Sequence, residues 1–236
     1  MRNLCWSTLC LAILAIAGSG CSKASSTTSS VSAVTYLSVI HGAPYSGAVT
    51  IYLNDTLVTP TAINTGVFSP KYGTIRPGVY TTKFKKIASD SVLDQLPASK
   101  YDTLNFYTLL LYNDPGGKAA HCLKIMDDYS GVTTGSYAFY RFFDLAPDFA
   151  KVNLYFSGGL MQQNRTPADN ALNTNLNSFS QTQAGSYTLT VKDATTDSVI
   201  AKSNPLNFNA GYPYTIWVTG TKAQNNLSIN VLQAQY

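Results

Sequence analysis

The chain has 236 residues, room for one large domain or two of about a hundred, and its 45% hydrophobic content excludes wholesale disorder. Only 12% of residues are charged; all twelve acids are Asp and no Glu occurs, which argues against helix because Asp prefers caps and turns. The formal charge of +4, with twelve Lys scattered along the chain, excludes a nucleic-acid binder driven by a basic field, while sixteen Tyr and ten Phe favour strands.

Met1-Arg2-Asn3, the apolar run Leu9 to Ala17 and the small residues Gly18-Ser19-Gly20 predict a signal peptide over 1–20. The run falls short of the roughly 20 apolar residues a membrane span needs. With Cys21 at the cleavage point, the segment resembles a bacterial lipoprotein signal, in which that Cys is acylated and becomes the first residue. Gly18 departs from that pattern, which usually has Leu or a similar aliphatic there; the other reading is cleavage after Ala17 and free secretion. Ser22 is not the Asp that retains such proteins in the inner membrane, so the expected location is the outer membrane, facing either way.

Eight of the twelve residues 22–33 are Ser or Thr. Such a segment cannot bury enough to fold, so 21–33 is read as a lipidated Cys plus a flexible tether spanning roughly 20 Å. Cys5 and Cys10 leave with the signal and Cys21 carries lipid, which leaves Cys122 as the one mature thiol and no internal disulfide. In the strand-like run 119–125, Cys122 reads as a small buried residue rather than a nucleophile.

From residue 34 the chain is written twice. Tyr36-Leu37-Ser38-Val39-Ile40-His41-Gly42-Ala43-Pro44 aligns with Phe139-Tyr140-Arg141-Phe142-Phe143-Asp144-Leu145-Ala146-Pro147 at an offset of 103. Val49, Ile51, Tyr52 and Leu57 keep register with Val152, Leu154, Tyr155 and Leu160. Four residues then enter the second copy, and at offset 107 Gly78-Val79-Tyr80-Thr81 matches Gly185-Ser186-Tyr187-Thr188, and Tyr107-Thr108-Leu109 matches Tyr214-Thr215-Ile216. The predicted modules are 34–127 and 136–236, joined by a polar, Gly-containing linker at 128–135.

Each copy reads as about seven short strands, in the second near 137–144, 151–157, 178–182, 186–192, 198–201, 213–219 and 227–234. Alternation in Tyr187-Leu189-Val191 and Leu227-Ile229-Val231 marks strands with one buried face. Pro77-Gly78 and Ala184-Gly185 share one turn position, and Asp90 and Asp197 another. The expected fold is all-β: two tandem immunoglobulin-like antiparallel β-sandwiches, without the Cys-Trp-Cys core of antibody domains.

The phrase at 36–44, with Val49-Thr50-Ile51-Tyr52-Leu53-Asn54 and Pro77-Gly78-Val79-Tyr80, resembles the bacterial family catalogued as domain of unknown function 4397. Tyr140 to Asp148 fits the same opening strand and turn. The resemblance spans about 34–236 and carries fold rather than chemistry. It implies lipoproteins of the Gram-negative envelope and carries over no activity.

Catalytic signals are sparse. The two His lie 80 residues apart, and no Cys pair or calcium-loop pattern occurs. There is no Gly-x-Ser-x-Gly elbow, and most Asp fall at turns. No cofactor, metal site or catalytic residue is assigned. Asp127-Asp128 reads as solvated linker, with calcium bound between modules as the alternative. Trp217 aligns with Leu110 and reads as a core position rather than a sugar platform. Positions that differ between the copies are free of fold duty. The turn 144–149 and a loop at 203–211 are expected together at the end of the second module farthest from the lipid. Asp144, Asp148, Phe149, Asn207 and Asn209 are therefore the candidate ligand-binding residues. The stretch 162–178 is expected at the opposite end, near the junction. The function read from this is a non-catalytic envelope lipoprotein, membrane-bound through its anchor, that presents distal loops to a glycan or protein. The alternative is a stalk or accessory subunit of an outer-membrane complex.

Overall fold

A computed structural model describes residues 33–235 except 70, 88 and 90. The predicted signal peptide, Cys21 and all but the last tether residue lie outside the described residues, as do Asp90 and Tyr236. The first half forms β1 (Thr35–His41), β2 (Val49–Leu53), β3 (Thr56–Leu57), β4 (Gly73–Ile75), β5 (Gly78–Lys86), β6 (Val92–Tyr101), β7 (Phe106–Asn113) and β8 (Ala120–Met126). The second half forms β9 (Tyr137–Leu145), β10 (Val152–Phe156), β11 (Gly159–Arg165), a short helix α1 (Asp169–Leu172), a 3-10 turn (Thr174–Asn177), β12 (Ser180–Gln183), β13 (Gly185–Asp193), β14 (Val199–Phe208), β15 (Pro213–Thr219) and β16 (Ser228–Gln233).

The first half pairs its strands as two sheets, β4-β1-β7-β8 and β3-β2-β5-β6. The second half has the sheets β12-β9-β15-β16 and β11-β10-β13-β14, the same orders with eight added to every strand. Both halves are thus β-sandwiches, as expected. Pairing is antiparallel with one exception in each: β1 runs parallel to β7, and β9 to β15.

Alternation explains the two inner cores. Leu37, Val39, Ile51, Phe84, Leu109 and Leu111 fill the first, and Tyr140, Phe142, Leu154, Leu189, Val191, Ile216 and Val218 the second. The central strands β1, β7, β9 and β15 bury their other face too, as near-continuous apolar strands do. From those outer faces Ile40, Leu110, Tyr112, Phe143, Leu145 and Trp217 form a third core between the halves. Trp217 and its counterpart Leu110 are both fully buried there, so Trp217 is a core residue, at the junction rather than inside its own sandwich.

The residues from Ala33 on therefore form one compact unit, a stack of four sheets. The halves lie side by side, so neither is distal to the other. Counterparts share a partner at one end of the interface and touch at the other. Thr108 and Thr215 both bond Arg141 near the starts of β7 and β15. Gly42 lies against Leu145, and Thr219 donates to the Gly42 carbonyl, at the far ends of β1, β9 and β15. Contacts between equivalent residues mark an isologous, pseudo-twofold interface. We call the end where β1, β7, β9 and β15 begin, and where the chain enters at Ala33, the base.

Candidate functional site

The turns that close β1 and β9 are built alike. In the first copy the backbone N–H of Ala43 donates to Nδ1 of His41 at 3.3 Å, while His41 Nε2 donates to the Gly47 carbonyl at 2.7 Å. In the second the N–H of Ala146 donates to Oδ1 of Asp144 at 3.1 Å. His41 and Asp144 are equivalent, fully buried turn caps. Burial drives His41 below and Asp144 well above their ordinary pKa, each toward its neutral form. Among the described residues Oδ2 of Asp144 has no hydrogen-bond partner, and Asn170 of α1 donates to the Asp144 carbonyl. Asp144 is fixed inside the fold and out of reach of a ligand.

Phe149 belongs to the second core and is also withdrawn from solvent. Asp148 is exposed, yet both its carboxylate oxygens are engaged: Tyr45 Oη donates to one at 2.9 Å and the Lys222 N–H to the other at 2.8 Å. Asn207 and Asn209 are exposed, but they are not with the other three. The expected loop at 203–211 is strand through Phe208, and Asn209 to Tyr212 lead into the start of β15. This is the base, whereas Asp144 lies at the far end of β9, and Asp148 and Phe149 just past it. The five candidates are therefore split between opposite ends of the molecule, and they form no common site. Near Asn209 a shallow cleft of about 560 Å³ is lined by Thr134, Gly211, Tyr212, Gln233 and Ala234.

The densest polar constellation escaped the sequence reading. Asp127, expected as solvated linker, is buried, with its Oδ1 accepting from Arg141 Nη1 at 2.5 Å. Its Oδ2 accepts from Thr108 Oγ1 and from Tyr72 Oη, both at 2.6 Å. Arg141, only 2% exposed, also donates from Nε to Thr215 Oγ1 at 2.9 Å and from Nη2 to Thr108 Oγ1 at 3.2 Å. Its guanidinium lies over the rings of Phe143 and Phe179, 5.2 and 4.7 Å from their centroids. Tyr72 is pushed to a higher pKa chiefly by burial and then by Asp127, and its hydroxyl meets that of Tyr129 at 2.5 Å.

This network ties the halves together. Asp128 turns away to accept the Ser130 N–H at 2.9 Å, so the two linker carboxylates face different partners. Among the described residues, no three His, Cys or Asp side chains stand in position to hold a metal ion. The stretch 162–178 packs along β9 from Asp144 to Arg141, through Asn170 and the Asn177 carbonyl. It therefore covers the flank of the second sandwich as well as the junction.

Cys122 is buried as expected; its thiol is pushed far up in pKa by burial first and the Asp94 carboxylate second. The same carboxylate accepts the Cys122 N–H at 2.7 Å and so closes the exposed edge of β8.

The buried polar groups thus serve turns, edges and the junction of an all-β double sandwich. Residues 35–155, about half of the chain, match the family model described as "Domain of unknown function (DUF4397)", and the chain belongs to that family. No curated protein matches it.

Proposed function

We propose that the protein is a non-catalytic, lipid-anchored component of the cell envelope that works as a rigid accessory subunit. The carrying observation is the junction between the halves: an apolar core plus the buried Arg141–Asp127 pair fixes two sandwiches as one body. A fixed body with its chain entry at one end suits a spacer or scaffold held against a larger complex. The anchor is Cys21, and the envelope address rests on the signal peptide and the Ser/Thr-rich tether read from the sequence.

Adhesion is the second reading, favoured by the exposed Asn207 and Asn209 and the cleft beside Asn209. Affinity isolation of the intact protein from its own envelope separates the two. A stoichiometric outer-membrane protein, retained by Asn207→Ala with Asn209→Ala, supports the accessory role. A saturable glycan or foreign protein, lost with that double substitution, overturns it in favour of adhesion.

A further inference from the structure

The base carries an unusual leucine. Leu104 adopts φ of 61°, a left-handed conformation that costs a residue with a Cβ and costs glycine nothing. Its counterpart at offset 107 is Gly211, with φ of 79°. The two turns are otherwise the same: the Leu104 N–H donates to the Val34 carbonyl at 2.7 Å, and the Gly211 N–H to the Tyr137 carbonyl at 2.8 Å. The fold therefore takes glycine here. Leu104 nevertheless stands 63% exposed, so packing does not explain it.

It is not alone at this end. Asn105 joins the Leu104 turn to Met126 by an Nδ2 to Sδ contact at 3.8 Å, and Met126 is 59% exposed where the second copy has Gln233. From the second copy Tyr137 and Tyr212 are 44% and 46% exposed, and the Tyr212 carbonyl is bonded to the Phe139 N–H at the start of β9. Leu, Met and two Tyr thus share the end at which the chain enters. On the lipid-anchor reading, twelve residues separate Cys21 from this end, and a flexible Ser/Thr-rich chain of that length spans roughly 20 Å, so this is the end that would face the membrane. Exposed Leu and Met with flanking Tyr match the apolar and interfacial zones of a bilayer surface. The charges here are few and mixed: Lys100 pairs with Asp102, and the exposed Arg76 and Asp128 stand at the rim. Apolar contact rather than charge attraction is what this surface provides.

We propose that the base is a membrane-docking surface: Leu104 and Met126 enter the interfacial region of the bilayer, with Tyr137 and Tyr212 at headgroup level, and stand the double sandwich upright on the membrane. This rests on the lipid-anchor reading for its cellular setting.

The test supplies a tether of its own. The fragment 33–236, which contains all three cores, is given an N-terminal hexahistidine tag and attached to electrically neutral phosphatidylcholine vesicles containing nickel-chelating lipid. An environment-sensitive fluorophore is placed on Thr103→Cys, or on Ala223→Cys at the opposite end; Cys122 is buried and stays unlabelled. Docking predicts a blue shift and several-fold stronger quenching by nitroxide lipids at 103 than at 223. Leu104→Gly with Met126→Gln, which copies the second half's own residues, should bring quenching at 103 down to the level at 223 with the thermal transition retained. Equal quenching at the two sites, or quenching at 103 that survives the double substitution, overturns the proposal. Acyl labelling of Cys21 in the full chain is read separately. Label with no docking leaves the anchor standing and removes the docking surface; docking with no label does the reverse.

Discussion

Tyr45 donates a hydrogen bond to Asp148, and these two residues are each other's counterparts, 103 positions apart in a chain whose opening segments repeat at that offset. Gly42 and Leu145, also 103 apart, touch as well: a Cβ on Gly42 would fall inside the Leu145 side chain, 2.9 Å from its Cβ. A residue meets its own equivalent only near a symmetry axis. The two copies therefore associate as an internal dimer, and small differences between them, Gly against Leu and Tyr against Asp, let that axis close.

Gly42→Ala tests the tight approach. The added methyl must displace Leu145, and overpacking of this kind costs about 1–3 kcal/mol. Urea denaturation should show a lower midpoint with an unchanged slope. An unaltered midpoint would mean that Leu145 has room to move.

The Arg141–Asp127 pair predicts non-additive substitutions. Removing one partner leaves the other charge buried, at about 3–5 kcal/mol, whereas replacing both with apolar residues is often neutral or stabilising. Arg141→Met and Asp127→Leu should each lower stability sharply, and the double variant should recover most of the loss. Additive losses in the double-mutant cycle would show that the two side chains act independently.

Asp144 predicts a pH dependence. Its folded-state pKa is raised, chiefly by burial, above the ordinary value near 4, so the native state holds the proton more tightly than the unfolded chain does. Below about pH 4 both states are protonated and there is no penalty; stability falls as pH rises from there toward the folded pKa. Asp144→Asn keeps an oxygen for the Ala146 N–H and cannot ionise. It should be more stable than the parent at pH 7, with the difference vanishing near pH 3. A gain that persists unchanged at pH 3 would assign the effect to something other than ionisation.

Cys122, buried and with its pKa raised, should resist a thiol reagent at pH 8 in the folded protein and react fully once urea unfolds it. Rapid modification of the folded protein would place the thiol at the surface.

Much of this fold is legible in the residues. Alternation located the strands of the second half to within a residue or two wherever one face is buried and the other solvated, as in Tyr187-Leu189-Val191. It fails at β14, which continues through Phe208 where a loop is expected from 203 to 211 around Pro205. That strand lies at a sheet edge, where a proline is tolerated, and edge position is a tertiary property that local sequence does not declare. β11 was missed because Met161-Gln162-Gln163-Asn164 is polar and without alternation. The junction did leave a signal: Leu109-Leu110-Leu111-Tyr112 and Phe139-Tyr140 with Phe142-Phe143 are apolar on both faces, as strands covered on both sides must be. Arg141 interrupts the second run, and its partner Asp127 sits in a polar segment that looks solvated. Pairing between the two halves is what buries it, so the loops look like the place for polar function while the densest polar network lies between the sheets.

Small-angle X-ray scattering from the 33–236 fragment tests most directly whether the halves form one block. A compact chain of this length has a radius of gyration of about 17 Å, and the side-by-side stack predicts a value near that, with a single-peaked distance distribution. A markedly larger radius, with a second peak at long distance, would mean two sandwiches strung end to end and would contradict the account.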